Sequence, residues 1–176
     1  MAEGANRIRP ILSAEEIHDR VQALASRLLP HLEEGAIGVV LLLGGLWFAA
    51  DLTRALARRG AVLAYDGLWL SSYGDGQESQ GRCEVRAAPG RSVAGRQVLL
   101  MDDVAESGLS LAEGRRLLCE AGSARVTTAV FARKPFGCPI AEPDFVAWEA
   151  PARFLVGYGM DYAGEFRGMP SIGALD

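Results

Sequence analysis

The sequence predicts an α/β fold in which a mainly parallel, twisted sheet is flanked by helices. Residues 36–43 (AIGVVLLL) form a continuous apolar run, as buried parallel strands do, and a glycine turn then leads into residues 46–59, whose composition is helical. Residues 97–101 and 124–132 are further apolar segments, and a predicted helix over residues 108–121 separates them. Strands and helices thus alternate, which favours βαβ units that bind ligands beyond the carboxyl ends of the strands.

The remaining segments predict one helix at the start of the chain and several shorter strands. Ser13 and Glu16 match a capping box, and apolar residues then recur at helical spacing for about four turns. Residues 73–82 hold three glycines and almost no apolar side chain, which predicts a mobile loop, and a tail rich in glycine and tyrosine begins at Gly157. The shorter strands are predicted at residues 61–65, 68–72, 145–148 and 154–156.

Length, composition and charge narrow the class of protein. The chain has 176 residues, of which 49% are apolar, and we expect residues 1–176 to form a single domain. With a net charge of −4 and no basic patch, we expect no nucleic-acid partner. Three widely spaced cysteines, distant from both histidines, predict neither a zinc site nor a disulfide framework. No window reaches the roughly 18 apolar residues of a membrane span, so we expect a soluble, cytoplasmic protein.

Residues 98–111 (VLLMDDVAESGLSL) carry the strongest indication of function. An apolar strand ends in two carboxylates, Asp102 and Asp103, and a short loop of small residues then leads into a helix. Backbone N–H groups at the start of that helix can bind a phosphate, and the carboxylates suit ribose hydroxyls or a Mg²⁺ ion. The predicted phosphate site comprises Ser107, Gly108, Leu109 and Ser110.

This segment resembles the phosphoribosyl pyrophosphate (PRPP) motif of the type I phosphoribosyltransferases. The resemblance to their hypoxanthine/guanine branch extends over nearly the whole chain. Residues 42–45 (LLGG) resemble the pyrophosphate-binding loop, residues 71–81 (SSYGDGQESQG) the flexible catalytic loop, residues 133–135 the base-recognising lysine segment, and residues 154–167 (FLVGYGMDYAGEFR) the C-terminal signature. The resemblance implies the type I phosphoribosyltransferase fold, in which terminal segments form a small hood.

Two of these segments would recognise a purine base. Lys134 has a physical case of its own, because a 6-oxopurine presents a carbonyl acceptor where adenine presents an amino donor, and an ammonium group can only donate. By the resemblance, Phe154 would stack on the purine and the backbone of Leu155 would meet the ring edge. Taken alone, Lys134 could be a solvated surface lysine and Phe154 a core residue. The resemblance implies hypoxanthine, guanine or xanthine as the base.

The resemblance also implies the groups that act on the reacting atoms. Asp161 would orient a hydrated Mg²⁺ cofactor, and Arg167 would clamp the pyrophosphate oxygens. Ser72 and Tyr73 would belong to a lid that closes over the reaction centre and excludes water. Glu106 would accept or hold the proton on the five-membered ring of the purine. The reaction implied is transfer of the 5-phosphoribosyl group from PRPP to the purine with release of pyrophosphate.

Two residues depart from the family pattern. Leu43 stands where the hypoxanthine/guanine branch commonly has a lysine, so one positive contact to pyrophosphate is missing and the backbone N–H groups of Gly44 and Gly45 remain. Glu106 stands where the family usually has an aspartate, and its extra methylene shifts the reach of the carboxylate by roughly 1.5 Å, where geometry must hold to about 0.5 Å.

These departures leave other functions open. A non-catalytic nucleotide sensor or regulator with the same fold would tolerate both changes, although the acidic net charge disfavours direct contact with nucleic acid. An unrelated phosphate-binding α/β domain would explain the acidic loop but leave Lys134 and the C-terminal segment unexplained. Relatives in the family are dimers or tetramers, which implies a homodimer or a homotetramer.

Overall fold

The computed structural model describes residues 8–72, 83–135 and 140–175. Within these ranges the chain forms three α-helices and nine strands in two sheets, and a short 3₁₀ helix, Leu29–His31, follows the first α-helix. In chain order the elements are β1 (Ile8–Leu12), α1 (Ala14–Leu28), β2 (Ile37–Leu42), α2 (Leu46–Ala57), β3 (Ala64–Ser72), β4 (Cys83–Ala87), β5 (Gln97–Ala105), α3 (Leu109–Glu120), β6 (Arg125–Arg133), β7 (Phe145–Glu149), β8 (Phe154–Val156) and β9 (Ile172–Leu175).

The larger sheet has the strand order β4-β3-β2-β5-β6-β7. Its neighbouring strands run parallel except for β3 and β4, which are antiparallel. The central strands β2, β5 and β6 are almost wholly buried, because helices cover both faces, and continuous apolar runs are the expected sequence for such strands. The predicted α/β fold with a mainly parallel sheet flanked by helices is confirmed.

The helices pack on opposite faces of this sheet. α1 and α2 share a core with Phe48 and Phe131, whereas α3 contributes Leu111 to the core on the other face. α1 begins at the predicted capping box, in which the Ser13 Oγ accepts the Glu16 N–H at 3.2 Å and the Glu16 carboxylate accepts the Ser13 N–H at 2.8 Å. Among the described helices, none is both long and apolar enough to cross a membrane.

The smaller sheet joins the two ends of the described chain in the order β1-β9-β8, with antiparallel pairing throughout. This sheet is the hood of terminal segments that the family resemblance implies. β1 and β9 are not predicted from local pattern, because each is short and β9 contains a glycine. Gly173 is needed there, since a side chain at this position would overlap Ile8 of β1.

Several boundaries expected from the sequence are wrong. Residues 61–65 and 68–72 are predicted as two strands, but β3 is one strand, because Gly67 keeps its register with Val40 of β2. β5 does not stop at residue 101; its pairing with β6 continues to Ala105, so the acidic pair lies within the strand. The predicted loop at residues 73–82 lies outside the described residues.

Candidate active site

A cleft of about 440 Å³ opens where the central strands of the larger sheet end and the hood begins. The ends of β2 and β5, the start of α3 and the residue after β6 form one side, and β8 with the turn that follows it forms the other. Parallel strands bring their carboxyl ends to one edge, which is why residues distant in sequence meet here. The predicted site residues that line the cleft are Gly44, Asp102, Asp103, Glu106, Ser107, Gly108, Leu109, Ser110, Lys134, Phe154, Leu155, Asp161 and Arg167.

Three predicted site residues are not among those that line the cleft. Gly45 precedes α2, and its N–H donates to the Leu41 carbonyl oxygen at 3.1 Å. A Cβ atom at Gly45 would lie 2.8 Å from that same oxygen, so the glycine is required by the tight turn. Ser72 is the last residue of β3, and Tyr73 lies outside the described residues.

The cleft also includes residues that sequence reasoning did not assign to the site. Val104 and Ala105 reach it because β5 continues past the acidic pair, and Met160 reaches it from the turn after β8. An apolar residue between two polar site residues carries no chemical signal of its own.

Asp102 and Asp103 are both buried, with exposed fractions of 9% and 8%. The Asp102 carboxylate accepts the Asp103 N–H and the Asp103 carboxylate accepts the Val104 N–H, each at 2.9 Å. Burial raises the pKa of Asp102 well above its usual range, and the adjacent Asp103 charge raises it further. Burial also raises the pKa of Asp103, although hydrogen bonds and the nearby Arg167 oppose the rise. The pair is therefore costly to ionise.

Replacing Asp102 with asparagine is expected to stabilise the fold. A carboxyl group whose folded-state pKa is raised contributes stability below its unfolded value, 3.8, and loses that contribution as the pH rises through the raised value. At pH 7 the free energy of unfolding of the variant should exceed that of the wild type by about 1 kcal/mol. Denaturation at pH 7 and at pH 3.5 tests this, because the difference should vanish at the lower pH.

Residues 107–110, the predicted phosphate loop, form the turn into α3. Gly108 has a φ of +77°, and a side chain there would overlap the backbone of Ala141. The segment behind the loop is tied to it, since the Ile140 N–H donates to the Ser107 carbonyl oxygen at 2.6 Å. This packing directs the amino-terminal end of α3 at the cleft, where its N–H groups can bind an anion.

Lys134 and Phe154, which are predicted to recognise the purine, lie together at one end of the cleft. The Lys134 side chain is 8% exposed, and its Nζ lies 3.4 Å from Oε1 of Glu106 and 5.9 Å from the centre of the Phe154 ring. Phe154 is 50% exposed, so it is not a core residue. Lys134 is also the sole lysine among 18 basic residues, the other 17 being arginines. The single lysine amine of the chain thus lies in this cleft and not on the open surface.

Asp161 and Arg167, which are predicted to act at the pyrophosphate, form an ion pair with each other. Their carboxylate and guanidinium groups lie 2.5 Å apart, and the second Asp161 oxygen accepts the Gly164 N–H at 2.7 Å. Arg167 also donates to the Gly159 carbonyl oxygen at 2.6 Å. These three contacts hold both charged groups at the wall of the cleft.

A side chain at Gly44 would overlap the carboxylate of Asp103. The turn after β2 therefore lies directly against the acidic pair, and only glycine allows this approach. Leu43, the neighbouring residue, lines the same cleft and is 44% exposed. An apolar side chain thus occupies the wall where the family pattern has a cation.

The chain is similar to known proteins over almost its full length. Residues 11–163 match the model of the phosphoribosyl transferase domain family. The hypoxanthine-guanine phosphoribosyltransferase of Bacillus subtilis is 34% identical over 169 residues, covering 94% of this chain and 91% of the relative. That of Aquifex aeolicus is 32% identical, covering 94% of this chain and 93% of the relative.

A solved structure shows the same fold. The hypoxanthine phosphoribosyltransferase of Staphylococcus aureus superposes with a TM-score of 0.89 at 27% identity, over 98% of this chain and 94% of that one. The match of the family model, the identity to whole relatives and the shared fold agree with one another. This chain therefore belongs to the phosphoribosyl transferase domain family, within its hypoxanthine/guanine branch.

Proposed function

We propose that this chain is a purine salvage enzyme that transfers the 5-phosphoribosyl group of PRPP to hypoxanthine, guanine or xanthine and releases pyrophosphate. The observation that carries the proposal is that a buried carboxylate pair, a phosphate loop and the sole lysine surround one cleft. Each of these features matches one part of the substrates: ribose hydroxyls, a phosphate and a purine carbonyl.

The ribose 5-phosphate would lie along β5 and the start of α3. Asp102 and Asp103 would accept hydrogen bonds from the two ribose hydroxyls, and residues 107–110 would bind the phosphate. Hydroxyl donors compensate the buried carboxylates for the hydrogen bonds that they lose to burial. Substrate binding would therefore stabilise the ionised form of the pair.

The purine would lie between Phe154 and the ion pair of Glu106 with Lys134. The 6-carbonyl oxygen and the nearest nitrogen of the five-membered ring lie on one edge of a 6-oxopurine. An ammonium group beside a carboxylate complements that edge. Lys134 would donate to the carbonyl, the backbone of Leu155 would meet the ring edge, and Glu106 would hold the ring proton. The negative charge of Glu106 would also stabilise the positive charge that develops on the ribose as pyrophosphate departs.

A Mg²⁺ cofactor fits the donors of the cleft. Among the described residues no group of three or more His, Cys, Asp and Glu side chains forms a metal cage. Mg²⁺ commonly binds through one or two carboxylates together with substrate phosphates and water, so Asp161 beside PRPP would be a sufficient protein contribution. Bound there, the ion would neutralise charge on the leaving pyrophosphate, and Arg167 would add a bidentate contact.

The proposal extends to the lid and to the assembly. Ser72 and Tyr73 would lie at the start of a segment that closes over the bound substrates and excludes water. A homodimer or homotetramer in the cytoplasm is the proposed state. Light scattering during size-exclusion chromatography would measure the mass and test the oligomer.

The proposed function is tested by incubating the protein with PRPP, Mg²⁺ and each of hypoxanthine, guanine, xanthine and adenine. The expected products are nucleotides of the 6-oxopurines and not of adenine, because the ammonium of Lys134 cannot accept a hydrogen bond from an amino group. Binding of PRPP without nucleotide formation from any base would instead identify a non-catalytic sensor.

Replacing Leu43 with lysine is expected to lower the KM for PRPP about tenfold, since a charge-assisted hydrogen bond contributes about 1.5 kcal/mol at an exposed position. The matched control is Leu46→Lys, because Leu46 is similarly exposed, at 41%, and is not among the residues that line the cleft. Steady-state kinetics at saturating hypoxanthine gives both values. An unchanged KM in Leu43→Lys would mean that another group already binds the pyrophosphate oxygens.

A further inference from the structure

Tyr158 lies in the turn after β8 and joins the hood to α2. Its side chain is 4% exposed, and its hydroxyl donates to Oδ2 of Asp51, on α2, at 2.9 Å. Its ring packs edge-on against Phe131 of β6, with ring centres 4.9 Å apart. The two hydrogen-bonded residues are 107 positions apart in sequence. Tyr158 therefore connects the hood to α2 and to β6 of the larger sheet.

The backbone of Tyr158 has an unfavourable conformation, and its hydroxyl has a raised pKa. Its φ of +51° lies in the left-handed region that favours glycine, between Gly157 and Gly159. Burial, together with the adjacent Asp51 charge, raises the pKa of the Tyr158 hydroxyl, so that it stays protonated and remains a donor. A tyrosine at such a backbone position indicates that its side-chain contacts outweigh the local strain.

The residue after Tyr158 contacts both parts of the pyrophosphate end of the cleft. A side chain at Gly159 would overlap the Gly44 carbonyl oxygen, so the hood turn lies against the turn after β2. The Gly159 carbonyl oxygen accepts a hydrogen bond from Arg167, which in turn pairs with Asp161. A shift of Tyr158 would therefore move the Arg167 and Asp161 pair relative to Gly44.

We propose that Tyr158 and Asp51 are positioning residues for the pyrophosphate end of the site, which rests on the function proposed above. Their hydrogen bond keeps the Gly159 backbone against Gly44, and Gly159 in turn locates the guanidinium of Arg167. The base end of the cleft does not depend on this bond, because β8, which carries Phe154, is held by its own pairing with β9. Loss of the bond should thus affect PRPP and not the purine.

Four variants separate positioning from general stability. Tyr158→Phe removes the hydroxyl and keeps the ring on Phe131, and Asp51→Ala removes the acceptor. Asp51→Asn retains an oxygen that can accept the tyrosine hydroxyl and serves as the conservative rescue. Arg54→Ala is the matched control, because Arg54 pairs with the other oxygen of Asp51, Oδ1, at 3.0 Å and is 66% exposed.

The measurements are the KM values for PRPP and for hypoxanthine at saturating Mg²⁺, the direct Kd for PRPP, and the melting temperature. Tyr158→Phe and Asp51→Ala should raise the KM and Kd for PRPP about tenfold, since small misplacements of clamping groups have effects of this size or larger. Asp51→Asn and Arg54→Ala should remain within about twofold of the wild type. The KM for hypoxanthine should not change in any of them.

An unchanged KM for PRPP in Tyr158→Phe, or an equal rise for both substrates, would overturn the positioning role. An effect of Arg54→Ala as large as that of Asp51→Ala would also overturn it, because the cause would then be the charge on α2 and not the bond to Tyr158. Absence of nucleotide formation by the wild type would instead refute the proposed function, and the Kd for PRPP would still test the positioning role.

Discussion

Glu106→Gln is expected to lower kcat for hypoxanthine by roughly 10²- to 10⁴-fold, the range typical for loss of a general acid or base. The neutral glutamine amide cannot accept the ring proton, and it cannot stabilise the positive charge that develops on the ribose. The KM for PRPP should change little, because the proposed ribose and phosphate contacts come from other residues of β5 and α3. Single-turnover kinetics with saturating substrates measures the effect on the chemical step.

The chain offers a closely matched control for this variant. Glu142 is as exposed as Glu106, at 57%, and pairs with Arg133 as Glu106 pairs with Lys134. Glu142→Gln therefore removes a comparable carboxylate from an ion pair that is not among the cleft residues, and it should leave kcat unchanged. A similar loss in both variants would show that Glu106 acts through stability and not through the reaction.

Lys134→Met is expected to lower kcat/KM for hypoxanthine about 100-fold and to abolish the preference over adenine. The loss corresponds to about 3 kcal/mol, the upper value for a hydrogen bond to a charged group, because the side chain is almost fully buried. The affinity for PRPP should be retained, since the proposed ribose and phosphate contacts involve other residues. Competition between hypoxanthine and adenine for one PRPP pool measures the selectivity.

Arg133→Met provides the control for the lysine variant. Arg133 is the preceding residue, and its guanidinium pairs with Glu142 and Glu149 at exposed positions. Removing the guanidinium should lower the free energy of unfolding by no more than a surface ion pair contributes. The preference for hypoxanthine over adenine should not change. If Lys134→Met loses PRPP binding instead of selectivity, the assignment of the lysine to the base is wrong.

The central strands and the phosphate loop could be predicted because their determinants are local. A continuous apolar run predicts a strand buried on both faces, and a strand followed by small residues and a helix predicts an anion site. The course of β3 through Gly67 and the extension of β5 to Ala105 could not be predicted, because pairing with neighbouring strands determines them. Local propensity is weaker than ladder hydrogen bonds within a sheet.

The candidate site likewise has contacts that are local in sequence and contacts that depend on the folded structure. Asp102, Asp103 and residues 107–110 lie close in sequence, so their proximity is almost assured. The ion pair of Lys134 with Glu106 joins the residues that follow two different strands, β6 and β5, and no local pattern indicates it. The engaged N–H of Gly45 also became evident only from the turn geometry, since a glycine pair by itself predicts two free donors.

The fold class, the phosphate-binding segment and, through a resemblance over nearly the whole chain, the family follow from the sequence alone. Which polar groups meet depends on the folded packing: Glu106 pairs with Lys134, Asp161 pairs with Arg167, and the Tyr158 hydroxyl donates to Asp51. The physical reason is that periodicity and capping depend on neighbours along the chain, whereas these contacts depend on the packing of the hood, α2 and the strand ends around one cleft. Their distances, and hence their energies, do not exist until the chain has folded.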